Sequence, residues 1–346
     1  MKALIAMSGG VDSSVAALLT KEQGYECIGC TMKLYRNEEV GLSDGRTCCS
    51  LDDTDDAKRV AFRIGMPHYV FNFSDDFREK VIEPFVCAYE CGMTPNPCIE
   101  CNAHLKFGKL FDRAKELGAD YVVTGHYARI AEENGHFVLK KGRDAKKDQS
   151  YVLYRLTEEQ LRQLLLPLGD KTKAEIRAIA RANGFVNAEK AESQDICFIP
   201  DGDYAAFLEK YRGAPDAPGP FVKGGQAIGT HKGITHYTIG QRKGLGLAFG
   251  EPVYVTKIDP ETNEVTLGTE QDLYTDHTAV RDFHWISGPC PGIGEAFSCL
   301  VKTRYHQKEV PAAVTILPEN RAKIVFETPL RAVTPGQAVV LYDGDT

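Results

Sequence analysis

The stretch Ala3-Leu4-Ile5-Ala6-Met7-Ser8-Gly9-Gly10-Val11-Asp12-Ser13-Ser14 decides how the rest of the chain is interpreted. Its five apolar residues at 3–7 predict a buried strand, and the apolar spacing from Val11 onward predicts a helix. The turn between them has glycine at two positions, so a ligand can approach its backbone closely. A strand, a glycine turn and a helix N-terminus form an anion site, because free N–H groups and the helix dipole point at the ligand.

The side chains of this loop refine the type of anion site. Ser8, Ser13 and Ser14 add hydroxyl donors, whereas Asp12 suits an anion site only where a cation such as Mg²⁺ shares it. The loop is neither a Walker P-loop nor a G-x-G-x-x-G turn. It resembles the Ser-Gly-Gly-x-Asp-Ser pyrophosphate loop of ATP pyrophosphatases, which adenylate a substrate. The alternative is a glycine turn that only packs the helix on the strand.

Length and composition limit the possible classes of protein. A chain of 346 residues is too long for one ordinary core, so we expect two or three domains. A hydrophobic content of 43% and a charged content of 26% are typical of globular proteins. The net charge of −7 gives no overall support for nucleic-acid binding, although a local basic patch would suffice. With neither a signal peptide nor a long apolar span, we expect a cytoplasmic location without membrane association.

Predicted strands and helices alternate through residues 1–200. Strands at 26–32, 68–73 and 120–126, separated by helices, predict a doubly wound parallel α/β sheet. Because such sheets bind ligands at their carboxyl edge, we expect Met32, Gly125 and His126 beside the glycine loop. The helix after the third strand, from Asp75 to Tyr89, is expected to break or restart near Pro84.

The character of the sequence changes after residue 200. Residues 215–250 are rich in Gly and Pro and predict a small, loop-rich central module. Short β-type runs from Pro252 onward, separated by turns such as Asp259-Pro260, predict a closed or nearly closed β-barrel. We therefore expect domains at 1–200, 201–251 and 252–346.

Eleven cysteines are a high number for a cytosolic chain and indicate metal, cluster or redox chemistry before structural disulfides. The pair Cys98-x-x-Cys101 fits a redox dithiol, half of a zinc site or part of an iron–sulfur site. Cys197 is a candidate third partner.

Four further cysteines are less informative. Cys87 and Cys91 lie four residues apart on a predicted helix and could complete a four-thiolate zinc site, or could be small buried residues. The adjacent Cys48 and Cys49 have no assigned role.

A basic cluster in the sequence fits either a solvated face or a contact with a nucleic-acid backbone. Its members are Lys140, Lys141, Arg143, Lys146 and Lys147.

These motifs occur together in one family. The sequence resembles the bacterial tRNA-specific 2-thiouridylases of the MnmA type over nearly its whole length. The matching segments are 8–13, 94–97 with Cys101-Asn102, 124–127, 147–151, 192–198 and 236–244. The family thiolates the uridine at the tRNA wobble position. The resemblance implies that ATP binds with its adenine near Met32 and Gly125. The other residues implied to bind ATP are Ala6, Met7, Ser8, Gly9, Gly10, Val11, Asp12 and Ser13.

The resemblance also implies a mechanism. The uridine O2 attacks the α-phosphate of ATP, and the adenylated base then accepts sulfur. Cys197 carries the sulfur as a persulfide received from a cysteine desulfurase or a sulfur-relay protein, and Cys101 is the nucleophile. Transfer leaves a Cys101–Cys197 disulfide.

The tRNA contacts that the resemblance implies fall in two groups. Asn96, Pro97 and Cys98 would lie against a base flipped out of the anticodon loop. The barrel would act as an RNA clamp, and the central module would also contact tRNA. The other implied contact residues are His126, Lys147, Asp148, Gln149, Arg304, Tyr305 and Gln337.

One position departs from the family pattern. The well-known form carries Asp where this chain has Cys98. Cys98, Cys101 and Cys197 could together hold a 4Fe–4S cluster with one iron open to sulfide. A third cysteine beside the base-binding loop has no obvious persulfide role, which favours the cluster, although Cys98 as a spare thiol remains the alternative. The competing functions are another ATP-pyrophosphatase RNA thiolase or synthetase, and a zinc-bearing RNA-binding module without catalysis.

Overall fold

The computed structural model describes residues 1–35, 51–191, 196–248 and 250–346. Cys48 and Cys49, and residues 192–195 of the motif at 192–198, lie outside the described residues. The described chain forms an N-terminal α/β domain, a small central sheet and a C-terminal antiparallel sheet. None of the described helices is long and apolar enough to cross a membrane.

The N-terminal domain is built on a five-stranded parallel sheet, which confirms the predicted fold class. Its central strand pairs in parallel with one strand on each side, so the glycine loop leaves from the middle of the carboxyl edge. In the order β3-β2-β1-β4-β7, the strands are β1 (Lys2–Ala6), β2 (Glu26–Lys33), β3 (His68–Asn72), β4 (Tyr121–Val123) and β7 (Leu164–Leu165). A separate antiparallel hairpin is formed by β5 (Ala128–Glu133) and β6 (His136–Lys141).

Helices pack on both faces of this sheet. The spacing Thr172-x-x-Glu175 predicts a capping box. It is confirmed at α8, where Glu175 N donates to Thr172 Oγ1 and Thr172 N donates to the Glu175 carboxylate. The helices of the described residues are α1 (Val11–Glu22), α2 (Leu51–Arg63), α3 (Ser74–Phe77), α4 (Glu83–Glu90), α5 (Pro97–Glu100), α6 (Leu110–Glu116), α7 (Glu158–Arg162), α8 (Lys173–Ala182) and α9 (Tyr204–Arg212). Short 3₁₀ turns lie at Ser150–Leu153, Ile234–His236 and Gln271–Leu273.

Two stretches of π-helix occur where the sequence predicts ordinary helix. The restart expected near Pro84 is confirmed, because the chain runs from α3 through a π-helix at Arg78–Ile82 into α4, which begins at Glu83. Pro84 lies in the first turn of α4, where its missing N–H costs little. The second π-helix, Cys101–Lys109, joins α5 to α6 and begins at the second cysteine of the C-x-x-C pair. π-Helices are rare and frequently mark functional sites.

The central and C-terminal sheets divide the second half of the chain. The central sheet has the order β10-β11-β8-β9 and consists of β8 (Gly219–Lys223), β9 (Gln226–His231), β10 (Tyr254–Asp259) and β11 (Glu264–Gly268). The C-terminal sheet has the order β12-β15-β14-β13-β16 and consists of β12 (Tyr274–Val280), β13 (Ala296–Lys302), β14 (Val310–Leu317), β15 (Arg321–Arg331) and β16 (Val340–Tyr342).

One expectation about these sheets is corrected. We expected the strands after Pro252 to belong to the C-terminal barrel, but β10 and β11 belong to the central sheet. The reason is that β11 pairs in parallel with β8, and Val255 and Val265 share an apolar core with Phe221. The change from one sheet to the next therefore falls between Gly268 and Tyr274 rather than at 251/252.

The last strand of the chain packs against the first domain. Val340 and Tyr342 of β16 belong to the same buried apolar cluster as Leu4 of β1 and Ile99 of α5. Tyr151 Oη donates to Ala338 O at 2.8 Å, close to the start of β16. The C-terminal sheet is thereby held against the segment that carries the C-x-x-C pair.

Candidate functional site

The glycine loop has a geometry that requires glycine. Gly9 has φ of +76°, and a Cβ there would lie 2.2 Å from Asp53 O in α2. Gly10 precedes α1 without a side-chain cap, which leaves the first turn of the helix suited to an anion. Ser13 Oγ accepts from Ser8 N at 3.2 Å and donates to Gly10 O at 3.0 Å, so these hydroxyls hold the loop closed on itself.

The neighbouring strands end beside this loop, as expected. A Cβ at Gly125 would lie 2.9 Å from Ser13 N, so only glycine allows the chain after β4 to pass this close to the first turn of α1. Met32 lies near the end of β2, on the other side of β1. Of the remaining loop residues implied for ATP, Ala6 ends β1, and Met7 and Val11 are buried beneath the loop.

Asp12 is paired with a lysine that sequence reasoning missed. Lys173 Nζ lies 2.8 Å from Asp12 Oδ1 and 2.7 Å from Oδ2, and Tyr127 Oη donates to Oδ1 at 2.6 Å. The Asp12 carboxylate, which the sequence suggested for Mg²⁺, thus has an ammonium as its counter-charge. The sequence predicts the start of α8 at Thr172, but nothing local connects Lys173 with a loop 161 positions away.

A second set of residues supports the loop from behind. Asn187 is buried and donates from Nδ2 to Gly9 O and to Ser14 Oγ, both at 2.9 Å. Lys190 Nζ lies 2.6 Å from a carboxylate oxygen of Asp53 and from one of Asp56. These contacts fix the loop to α2, and the sequence carries no signal that predicts them.

The C-x-x-C pair begins a helix. Asn96 caps α5, since its Oδ1 accepts from Cys98 N at 3.1 Å, and Pro97 occupies the first turn. The Cys98 side chain is exposed, whereas Cys101 is buried. Burial raises the pKa of Cys101 to about 11, an effect that the Lys106 ammonium opposes and Cys98 reinforces. Cys101 is therefore a neutral thiol in this conformation.

Cys101 and Cys197 contact one apolar cluster. Cys101 is a buried member of a cluster that includes Phe77 and Phe198, and the half-buried Cys197 packs against the same cluster. Tyr35 Oη donates to Cys197 O at 2.6 Å. The structure brings these two sulfurs to one region of the N-terminal domain.

The described cysteines are not placed to hold a metal ion. Among the described residues, which include Cys87, Cys91, Cys98, Cys101 and Cys197, no three His, Cys, Asp or Glu side chains are placed to hold one metal ion. The described residues therefore do not fit the expected 4Fe–4S cluster or the alternative zinc site. Cys87 and Cys91 are both exposed at the end of α4, so the expectation that they are buried was wrong.

His126 and Lys106 connect the two halves of the site. His126 is buried, with Nδ1 2.7 Å from Thr124 Oγ1 and Nε2 3.5 Å from Lys106 Nζ. Burial, reinforced by the Lys106 charge, holds the pKa of His126 well below its usual range. The neutral ring can accept from Lys106 while it donates to Thr124. His126, implied as a tRNA contact, is thus enclosed, and Lys106 is a site residue that sequence reasoning missed.

Several other residues implied to contact tRNA make contacts inside the protein. Asp148 Oδ1 accepts from Gly142 N and Ser150 N, and Gln149 Oε1 accepts from Tyr127 N. Three more of these residues lie at the C-terminal sheet. Arg304 Nη2 donates to Ala332 O at 2.9 Å, and Gln337 Nε2 donates to Thr94 O at 2.6 Å. The Tyr305 ring lies 5.8 Å from the ring of Tyr151. Lys147 N donates to Asp144 O within the same turn.

The basic cluster is largely neutralised by acidic partners. Lys140 Nζ lies 3.0 Å from a carboxylate oxygen of Asp345, and Lys141 Nζ lies 2.6 Å from one of Glu309. Both acids belong to the C-terminal part of the chain. These lysines therefore join the β5–β6 hairpin to the C-terminal sheet.

Comparison with known proteins covers the whole chain. Residues 1–201 match the family described as tRNA methyl transferase HUP domain, residues 205–269 the tRNA methyl transferase PRC-barrel domain, and residues 275–346 the Aminomethyltransferase beta-barrel domain. The tRNA-specific 2-thiouridylase MnmA of Carboxydothermus hydrogenoformans is 49% identical, over 99% of this chain and 95% of that protein. The enzyme of the same name from Clostridium acetobutylicum is 48% identical, over 99% of this chain and 97% of that protein.

Proposed function

Because the chain belongs to the family of tRNA-specific 2-thiouridylases, we propose that it catalyses ATP-dependent 2-thiolation of the wobble uridine of tRNA. One observation carries the proposal. Gly125 contacts the first turn of α1 at the glycine loop, and the next residue, His126, contacts Lys106 on the π-helix that begins at Cys101. A phosphate-binding loop and a thiol segment thus meet at two adjacent residues, as adenylation followed by sulfur transfer requires.

The first step is adenylation of the base. The uridine O2 attacks the α-phosphate of ATP, an O–P bond forms, and pyrophosphate leaves with the electron pair of the broken bond. The backbone N–H groups at the start of α1 suit the phosphates. Lys173 adds an ammonium next to Asp12, and Mg²⁺ accompanies the triphosphate.

The second step is sulfur transfer. The terminal sulfur of a Cys197 persulfide attacks C2 of the adenylated uridine, and AMP leaves. The Cys101 thiolate then attacks the Cys197 sulfur, which breaks the S–S bond, releases 2-thiouridine and forms a Cys101–Cys197 disulfide. A thiol reductant supplies the two electrons that restore both thiols. The sulfur comes from a cysteine desulfurase or a relay protein.

The position of Cys101 has a consequence for this step. As a buried neutral thiol it must lose a proton before it attacks, and the positive charge of Lys106 favours that loss.

The test is thiolation with defined components. The purified chain is mixed with ATP, Mg²⁺, a reductant, an unmodified tRNA and a cysteine desulfurase with cysteine, and 2-thiouridine is measured by mass spectrometry. Protein purified without oxygen is also analysed for iron, zinc and acid-labile sulfide. We expect thiolation by metal-free protein that depends on ATP and on Cys197. Absence of 2-thiouridine with both a desulfurase and free sulfide as donors would refute the proposal.

A further inference from the structure

The loop between α4 and α5 is held by the C-terminal sheet. Thr94 N donates to Pro335 O at 2.8 Å, and Gln337 Nε2 donates to Thr94 O at 2.6 Å. Both polar groups of the Thr94 peptide backbone are thus bonded to one short turn that lies between β15 and β16. We call residues 335–337 the clamp turn.

Gly336 brings the clamp turn into close contact with this loop. Its φ is +90°, and a Cβ there would lie 2.8 Å from Thr94 N and 2.9 Å from Met93 Cβ. On the other side, a Cβ at Gly92 would lie 3.0 Å from Ile258 Cγ2 of the central sheet. The loop is therefore held by both downstream parts of the chain, and no space remains for it to shift toward the clamp turn.

The restraint on Thr94 extends to the thiols. Two residues further along, Asn96 caps α5 and accepts from Cys98 N. From α5 the chain continues without interruption into the π-helix at Cys101. Because a capped helix moves as a unit, displacement of Thr94 displaces both cysteines.

We propose that Gly336 and Gln337 are positioning residues, which fix Cys98 and Cys101 through Thr94. Sulfur transfer thereby depends on how the C-terminal sheet packs on the N-terminal domain. The dependence of sulfur transfer rests on the proposed function, whereas the clamp is a property of the free protein. Gln337, implied by the family resemblance to contact tRNA, acts here through the thiol segment.

The clamp turn is itself connected to a second implied contact residue. Arg304 Nη2 donates to Ala332 O at 2.9 Å and also to Thr334 Oγ1, directly before the clamp turn. Thr334 Oγ1 donates to Ala332 O at 2.9 Å. A ligand that draws Arg304 away breaks its bonds to Ala332 O and Thr334 Oγ1, so we expect RNA contact at Arg304 to loosen the clamp turn and, through it, the position of Cys101.

The decisive comparison is between two glycine substitutions in the same sheet. Gly336→Ala places a methyl group against Thr94, whereas Gly294→Ala imposes a similar backbone strain, with φ of +87°, and has no atom within 4 Å to meet. The readout is the rate of iodoacetamide alkylation of Cys101 in free protein, localised by mass spectrometry. We expect alkylation about tenfold faster in Gly336→Ala and unchanged in Gly294→Ala, since local opening exposes the buried thiol. Equal rates in both variants overturn the clamp.

Gln337 variants keep the test valid if Gly336→Ala folds poorly. Gln337→Ala removes one hydrogen bond, and Gln337→Glu keeps the shape but leaves no donor for Thr94 O. We expect faster Cys101 alkylation in both, and a single-turnover thiolation rate about tenfold lower at saturating tRNA, with tRNA affinity unchanged. Weaker tRNA binding with unchanged alkylation would make Gln337 an RNA contact only and refute the inference. If the wild-type protein shows no thiolation, the proposed function fails, and the alkylation rates still decide the clamp.

Discussion

The glycine loop at 8–14 and the thiol segment at 94–101 are positioned in different ways. The loop is held within the N-terminal domain, by its own serines and by Asn187 and Lys190. The thiol segment packs within that domain at Cys101 and is also held from outside it, by a turn 243 positions further along the chain at Gln337. Under the proposed function, ATP binding would be a property of one domain, whereas sulfur transfer would also depend on how the C-terminal sheet packs on that domain.

The largest expected effect separates the two regions directly. Cys101→Ser removes the nucleophilic sulfur and leaves the loop unchanged, so thiolation should fall at least about a thousandfold while tRNA-dependent pyrophosphate release stays within about threefold of wild type. The measurements are 2-thiouridine by mass spectrometry and pyrophosphate release. Cys87→Ser, at an exposed position, is the matched control. Loss of both activities would show that the two regions are not separable.

A substitution in the loop should remove both activities. In Gly9→Ala the Cβ meets Asp53 O and φ is strained, so ATP binding should weaken about a hundredfold. Titration calorimetry with ATP measures this. Gly24→Ala, which has φ of +88° and open space around its Cβ, should bind ATP normally. Normal ATP binding by Gly9→Ala would mean that the loop only packs α1 on β1.

A substitution at Lys173 tests whether an ammonium group from a distant helix contributes to ATP binding at the glycine loop. Lys173→Met removes the ammonium beside Asp12, and we expect the KM for ATP to rise about tenfold or more with a smaller change in kcat. The double variant with Asp12→Asn shows whether the two residues act as a pair. An unchanged KM would limit Lys173 to neutralising Asp12.

The pH dependence of the alkylation rate of Cys101 should show that this thiol is buried. Because the thiolate is the reactive form and burial raises the pKa of Cys101 to about 11, its thiolate fraction is small at neutral pH and grows as pH rises. Alkylation of Cys101 should therefore increase about tenfold per pH unit without levelling off near the ordinary thiol pKa of about 8.5. A plateau near that value would show that the thiol segment is open in solution.

The smallest effect is expected at the residue that departs from the family. Cys98 is exposed, and its backbone N–H, not its side chain, donates to Asn96. Cys98→Asp therefore keeps the helix cap and places a carboxylate in the first turn of α5. Thiolation should stay within about threefold of wild type, since Cys98 is exposed and the substitution keeps the helix cap. Loss of activity together with loss of bound iron would instead assign Cys98 to a cluster.

The sequence predicts features that short stretches determine. The strand, turn and helix around Gly9, the parallel sheet and the capping box at Thr172 all follow from neighbouring residues. The pairing of β11 with β8 could not be predicted, because the partner of a strand is chosen by the whole core. Lys173 beside Asp12, and the clamp turn beside Thr94, join residues that only the folded chain brings together.

The packing of β16 against the N-terminal domain has a consequence for biosynthesis. Val340 and Tyr342 complete an apolar cluster whose other members include Leu4 and Val122, from strands at the centre of the N-terminal sheet. N-terminal domains generally fold while the ribosome is still extending the chain. Here that cluster closes only after Val340 and Tyr342 have left the ribosome, so a product truncated before these residues keeps its ATP loop but exposes an unfinished core.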